Sequence, residues 1–118
     1  MAGPTVDPDC LFCKLVAGQI PSERLYEDER ILAFKDIHPQ APFHGLVIPK
    51  VHIATLNDFS SEQAGLIGEL LLTAKRLAAE HQLAGYRVAM SVNREGGQVV
   101  FHAHLHVLGG RQLKGTLG

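Results

Sequence analysis

Three histidines stand at every second position near the end of the chain, at His102, His104 and His106. Successive side chains of a β-strand point to opposite faces, so this spacing predicts a strand that carries three imidazoles on one face. The residues between and just after them are apolar and are expected to press the other face into a core. We therefore predict that one strand, residues 99–108, carries both chemistry and packing.

The three imidazoles cannot all bind one metal ion. Along a strand the first and third lie about 13 Å apart, whereas a zinc–nitrogen bond is about 2 Å long. An adjacent pair could share a metal with ligands from elsewhere, while the complete row suits a phosphoryl group with the middle imidazole as nucleophile. The alternative is a half-exposed strand whose outer face happens to be histidine. Seven histidines in 118 residues, three of them in register, favour a functional row.

Composition narrows the remaining function classes. With 46 % hydrophobic and 19 % charged residues, the chain is expected to be globular: a loose tail over residues 1–9 and a single domain over 10–118. The net charge is −1 without a dense lysine and arginine cluster, which argues against nucleic acid or a membrane surface as partner. No signal peptide and no membrane-length apolar run are recognisable, so we expect a cytoplasmic protein that acts on small molecules.

Local patterns predict two helices and five strands. A short helix is expected from Cys10 to Ala17, capped by Asp9, and Ser60 with Gln63 predicts the capping box of a longer helix. The apolar residues of that longer helix are Ile67, Leu70, Leu71, Ala74, Leu77 and Ala78. The strands are expected at 24–27, 31–35, around 46–48, 86–92 and 99–108. Short connections favour a five-stranded antiparallel sheet covered by the helices, which is the α+β class.

The histidine row, followed by Gly109-Gly110-Arg111, resembles the signature of the histidine triad (HIT) family. The similarity also includes residues 36–42 (DIHPQAP), residues 46–53 (LVIPKVHI) and Asn93 with 96–98 (GGQ), and it extends from about Cys10 to Gln112. These segments look most like the nucleotide-binding phosphoramidase branch. His106 separates the chain from the related nucleotidyl transferases, which carry glutamine there. The diadenosine polyphosphate hydrolases share the triad but are less similar around Pro39 and at 109–112.

The resemblance implies covalent hydrolysis of purine nucleoside phosphoramidates and acyl-adenylates. His104 would attack the α-phosphorus to form a nucleotidyl-histidine, with its other ring nitrogen bonded to the backbone carbonyl of His102. His106 would donate to the phosphate oxygens. Further donors would come from Asn93, Gly97 and Gln98. Catalysis would then require no cofactor.

The nucleoside contacts implied by the resemblance involve four residues. Asp36 would accept hydrogen bonds from the ribose hydroxyls, unless it is an ordinary loop residue. Apolar walls for a purine would come from Ile37, Phe34 and Phe12, although the two phenylalanines could equally be core. Val99 departs from the family, which usually has serine at this position, and this difference predicts slower catalysis or a changed leaving-group preference.

Cys10 and Cys13 have the spacing of a zinc half-site. The alternative is two small buried thiols on a short helix. In relatives that keep this pair, the resemblance implies a structural zinc completed by histidines that correspond to His52 and His102. If His102 binds zinc it has no role at phosphate, so the two assignments compete.

A homodimer is also implied by the resemblance, and an exposed sheet edge needs a cover. Three consecutive leucines, 70–72, spread over more than one helix face, which indicates either an exposed leucine or a contact with a second copy. The tail 111–118 could then reach the neighbouring site. Other functions left open are a nucleotide-binding module with little turnover, a hydrolase with a catalytic zinc on an HxH pair, and a diadenosine polyphosphate hydrolase.

Overall fold

The computed structural model describes residues 9–115, and its elements follow the predicted order. Two helices and five strands are present: α1 Leu11–Val16, β1 Arg24–Glu27, β2 Ile31–Lys35, β3 Phe43–Pro49, α2 Ala64–Glu80, β4 Tyr86–Ala89 and β5 Leu105–Gly109. Short 3-10 turns occupy Leu56–Asp58, Ser61–Gln63 and Arg94–Gly96. Residues 1–8 of the predicted tail and 116–118 of the C-terminal tail lie outside the described residues. Within residues 9–115, no helix has the length and apolar character needed to cross a membrane.

The five strands form one antiparallel sheet in the order β1-β2-β3-β5-β4. Strand β3 lies at its centre and is buried at every position. It pairs with β5 so that His106 lies opposite Leu46, while Ala89 of β4 lies on the other side of His106. The α+β prediction is confirmed.

The sheet has a different helix on each face. On one face α2 packs through Leu70 and Leu77 against Val107 of β5. On the other face α1 packs through Phe12 against Leu46 and neighbouring residues of β2 and β3. Because His106 lies opposite Leu46 and alternates with Val107, it faces the side on which α1 lies. The functional imidazoles are therefore built on the α1 side of the sheet.

Strand β5 is shorter than predicted because its partner cannot continue the pairing. The sequence predicts a strand from residue 99, but β5 begins at Leu105. In the observed register Ala103 would lie opposite Pro49, which has no N–H to donate. The Ala103 N–H instead donates to the carbonyl of Ile53 at 2.7 Å. His102 and His104 therefore lie in the irregular segment that leads into the strand.

The helix predictions also need correction. The N-cap of α1 is Cys10, whose Sγ accepts from the Cys13 N–H at 3.2 Å, and not Asp9. Helix α2 ends at Glu80. It buries Leu66, whereas the sequence pattern favours Ile67, because packing on β3 and β5 determines which face of the helix is buried. Of the three consecutive leucines, Leu70 is buried, whereas Leu71 is 49 % and Leu72 64 % exposed. Strand β4 ends at Ala89, three residues earlier than predicted.

Candidate active site

His102 has different hydrogen-bond partners from the other two histidines of the row. Its ring is fully buried, and its Nε2 lies 2.7 Å from the carbonyl oxygen of Pro49. A carbonyl only accepts hydrogen bonds, so Nε2 carries the proton and Nδ1 carries a lone pair. That Nδ1 points at two sulfurs, 3.3 Å from Cys10 Sγ and 3.5 Å from Cys13 Sγ. The predicted strand does not reach His102, although Phe12 packs against the rings of both His102 and His104, at centroid distances of 6.0 and 5.2 Å.

Four side chains form a compact cluster of possible metal ligands. The ligand atoms of Cys10, Cys13, His52 and His102 all lie within 4.8 Å of one another. The first two come from α1, His52 follows β3, and His102 precedes β5. Burial lowers the pKa of His102 to about 4, so the imidazole is neutral at pH 7. The cluster therefore brings three separate segments of the chain together.

This donor set fits zinc. Two thiolates and two imidazoles are a common tetrahedral zinc ligand set. The Pro49 carbonyl holds the proton of His102 on Nε2, as the outer hydrogen bonds of metal-binding histidines usually do. Cys13 Sγ lies 3.3 Å from Nδ1 of His52, which brings the fourth ligand into the same space. In the structure Nδ1 of His102 thus faces the cysteines, and its alternative role at phosphate stays a prediction.

His104 is held in the tautomer of a nucleophile. Its Nδ1 lies 2.8 Å from the carbonyl oxygen of His102, so Nδ1–H donates there and the lone pair lies on Nε2. The ring is 7 % exposed, and the edge of Phe12 packs on it at a centroid distance of 5.2 Å. Burial lowers the pKa of His104, while the hydrogen bond to the His102 carbonyl and then the charge of Asp36 act in the opposite direction. A neutral imidazole with an unprotonated Nε2 is the form that can attack phosphorus.

His106 lies beside His104 and beside a fourth histidine, His44. Its ring centroid is 5.0 Å from that of His104 and 5.2 Å from that of His44. Burial, and then repulsion by the two neighbouring histidines, lowers the pKa of His106 to about 4. Sequence reasoning missed His44. The available signal was one histidine at the start of an apolar strand, but its diagonal pairing with His106 is visible only once β3 and β5 are in register.

The predicted nucleoside contacts lie close to these imidazoles. Asp36 follows β2, and its Oδ2 lies 3.5 Å from His44 Nε2. Its neighbour Ile37 is 84 % exposed. Phe12 and Phe34 pack edge to face at 5.4 Å inside the core beneath α1. Both are buried in the core, and Phe12 also packs on His104.

The turn that contains Asn93 is organised by its own hydrogen bonds. Gln98 is buried, and its side-chain amide donates to the carbonyls of Ala54 and Val100 while its oxygen accepts from the Asn93 N–H. The backbone N–H groups of Gly97 and Gln98 donate to carbonyls within the turn. These two N–H groups are thus engaged within the turn in this structure, and their donation to phosphate stays a prediction. The Asn93 side chain is exposed.

Similarity to known proteins extends over nearly the whole chain. Residues 17–113 match the sequence model of the HIT domain. The chain is 44 % identical over 107 residues to the purine nucleoside phosphoramidase of Escherichia coli K12, covering 89 % of this chain and 90 % of the relative. A HIT family hydrolase from Legionella pneumophila Philadelphia 1 superposes with a TM-score of 0.91 at 51 % identity, covering 93 % of this chain and 100 % of that one. Another, from Clostridium thermocellum, gives 0.91 at 38 % identity, covering 95 % and 99 %.

Proposed function

This chain belongs to the HIT domain family, and we propose that it hydrolyses purine nucleoside phosphoramidates and related acyl-adenylates. The family and its relatives support hydrolysis of a nucleotide-type substrate. The observation that carries the proposal is the hydrogen bond of 2.8 Å from His104 Nδ1 to the His102 carbonyl, which leaves the Nε2 lone pair beside His106. A nucleophile and a second imidazole that can donate a hydrogen bond thus stand side by side.

In the proposed reaction the substrate is cleaved in two displacements at phosphorus. His104 Nε2 forms a bond to the α-phosphorus while the phosphorus–nitrogen bond breaks, and the leaving nitrogen takes up a proton from solvent to depart as the amine. Water then adds its hydroxyl to phosphorus, the bond to His104 breaks, and the other proton of that water returns to solvent. His106 donates to the phosphate oxygens and stabilises the charge that develops on them. The products are the nucleoside monophosphate and the amine.

Nucleoside binding is proposed to involve the loop after β2 and the turn after β4. The Asp36 carboxylate would accept from the ribose hydroxyls, and the exposed Ile37 would cover the base. Asn93 has an exposed side-chain amide that is suited to donate to phosphate. A purine nucleoside monophosphate is accordingly the proposed ligand and product.

A structural zinc is proposed at Cys10, Cys13, His52 and His102. When bound, it would cross-link α1 to the segments that follow β3 and precede β5. The reacting imidazoles His104 and His106 do not belong to this set. Catalysis is therefore proposed to need no metal, although the fold around His104 would depend on it.

We also propose a homodimer. Strand β4 is an edge strand whose Tyr86 is 41 % exposed, and α2 exposes two consecutive leucines, Leu71 at 49 % and Leu72 at 64 %. A second copy would cover both the edge and the apolar surface. The described part of the C-terminal tail folds onto its own protomer, where Arg111 donates to the Gln40 carbonyl at 3.2 Å.

The proposed activity is tested with adenosine 5′-phosphoramidate and a diadenosine polyphosphate, with AMP release as the measurement. We expect multiple turnovers of the phosphoramidate and a slower reaction of the polyphosphate. With α-labelled substrate, an alkaline quench should retain label on the protein, since a phosphorus–nitrogen bond to histidine survives base. AMP binding without turnover would instead indicate a binding module, and preference for the polyphosphate would indicate the other hydrolase branch.

Val99→Ser tests the predicted effect of valine, in place of the usual serine of the family, on catalysis and leaving-group preference. The Val99 side chain is 86 % exposed, so the substitution should not disturb packing. For a substrate whose alkylamine leaves poorly, we expect the rate of hydrolysis to rise by roughly an order of magnitude, because the serine hydroxyl can assist the leaving nitrogen. This gain is smaller than the ~10²-fold that a well-placed general acid contributes. The rate with the unsubstituted phosphoramidate should change less. Val99→Ala is the matched control, and an equal gain in that variant would rule out the hydroxyl as the cause.

A further inference from the structure

A chain of hydrogen bonds runs from the backbone of the loop after β2 into the active site. The Gln40 N–H donates to Nδ1 of His44 at 3.0 Å, and Nε2 of His44 lies 2.9 Å from Nδ1 of His106. We infer that His44 is a positioning residue, which fixes the tautomer of His106 so that its Nε2–H faces the substrate. The catalytic consequence rests on the proposed function, whereas the tautomer itself does not.

The first link determines the protonation of His44. A backbone N–H can only donate, so Nδ1 of His44 must accept and cannot carry a proton. The ring is 5 % exposed, and burial lowers its pKa, so it is neutral at pH 7. A neutral imidazole has a single ring proton, which must therefore lie on Nε2.

The second link passes this constraint to His106. Two acceptors lie near the His44 Nε2–H: Nδ1 of His106 at 2.9 Å and Oδ2 of Asp36 at 3.5 Å. The first distance is that of a normal hydrogen bond, and the second is at the outer limit. Nδ1 of His106 therefore accepts, and its proton lies on Nε2. Among the described residues no hydrogen bond uses this N–H, so it is available to a phosphate oxygen.

His104 and His106 are thereby held in opposite tautomers by two backbone groups. The carbonyl of His102 keeps a proton on Nδ1 of His104 and leaves a lone pair on its Nε2. The N–H of Gln40, acting through His44, leaves the proton of His106 on Nε2. One imidazole is prepared to attack and the other to donate. The arrangement matters because a catalytic imidazole in the wrong tautomer costs roughly 10⁴-fold in serine proteases.

A metal ion is the competing use of the same atoms. Ligand atoms of Asp36, His44 and His106 lie within 4.8 Å of one another, as in many metal sites. A metal on His44 Nε2 would move the ring proton to Nδ1, where it would face the Gln40 N–H across 3.0 Å. Two donors would then point at each other. The loop that sets the tautomer therefore disfavours a metal at this place.

Two amide substitutions test the roles of the two ring nitrogens of His44 one at a time. His44→Gln places an amide N–H near the position of Nε2 and can still donate to His106, whereas His44→Asn matches only the Nδ1 end. We expect His44→Gln to keep kcat within about 10-fold and His44→Asn to lower it by about 10²-fold or more, with KM little changed in either. His38→Gln and His38→Asn, on an exposed histidine of the same loop, are the matched controls. Equal losses in both His44 variants would overturn the inference.

The tautomers can be read directly by long-range proton–nitrogen NMR correlation of the histidine rings in the wild-type protein. We expect a protonated Nδ1 in His104 and a protonated Nε2 in His44 and His106. A protonated Nδ1 in His106 would overturn the inference whether or not the protein turns over the proposed substrate. Addition of Zn²⁺ to protein whose cysteine cluster is already loaded is expected to leave the His44 and His106 signals unchanged. Stoichiometric shifts of both would show a metal site instead.

Discussion

His104→Ala is expected to lose turnover of adenosine 5′-phosphoramidate by about 10⁴- to 10⁶-fold, the range seen when an attacking group is removed from an enzyme. The Nε2 of His104 is the unprotonated nitrogen beside His106, and its loss removes the atom that would bond to phosphorus. Turnover of the wild type should survive a chelator as long as the protein remains folded. Steady-state AMP release, measured for both proteins with and without chelator, checks both expectations.

The controls for this variant separate chemistry from folding. His104 packs against Phe12, so the thermal unfolding and AMP affinity of the variant are measured alongside its rate. Added imidazole should restore part of the activity, because it can occupy the space left by the ring and attack in its place. His38→Ala should behave as wild type. Normal turnover of His104→Ala would refute the covalent mechanism, and activity that chelation abolishes in folded protein would indicate a catalytic metal.

Local signals in the sequence were sufficient for much of the fold. Strands β1 and β2 have the predicted bounds because the charged turn at residues 28–30 separates two short segments of strand-forming residues, which is a local signal. The capping box at Ser60 and Gln63 was visible for the same reason, although it caps the 3-10 turn that leads into α2 and not α2 itself. Antiparallel pairing followed from the short connections between strands. What depends on neighbouring residues along the chain was thus predictable.

The parts of the site that were not predictable depend on long-range register. The histidine row has strand periodicity, yet Pro49 ends the pairing of β3 before it reaches His102. That residue then turns to the cysteines of α1, which are about ninety positions earlier. His44 and His106 meet only because β3 and β5 are neighbours, 62 residues apart in sequence. The glycine-rich turn that contains Gln98 has the composition of a phosphate-binding turn. In the structure, however, the side-chain amide of Gln98 donates to the carbonyls of Ala54 and Val100.

Loss of the proposed zinc is expected to be one of the most destabilising changes in this protein. Cys10→Ser is the sharpest variant, because serine keeps the N-cap of α1 while removing a thiolate ligand. Structural zinc binds zinc-finger peptides with about 10–16 kcal/mol, and a loss of even about 3 kcal/mol lowers Tm by about 10 °C or more in a domain of this size. Native mass spectrometry should find one zinc per chain in the wild type, and thermal unfolding gives the stability.

Because Cys10→Ser keeps the N-cap of α1, its stability distinguishes a bound zinc from two thiols that only fill space. If the thiols only fill space, Cys10→Ser should cost about 1 kcal/mol, and a chelator should leave the wild-type Tm unchanged. If zinc is bound, chelation should lower the Tm of the wild type to nearly that of Cys10→Ser and have little effect on the variant. Because α1 has six residues and is too short to be stable alone, its loosening would also free Phe12 from His104. Turnover would then fall in step with unfolding of α1, so a chelator would reduce activity only where it reduces structure.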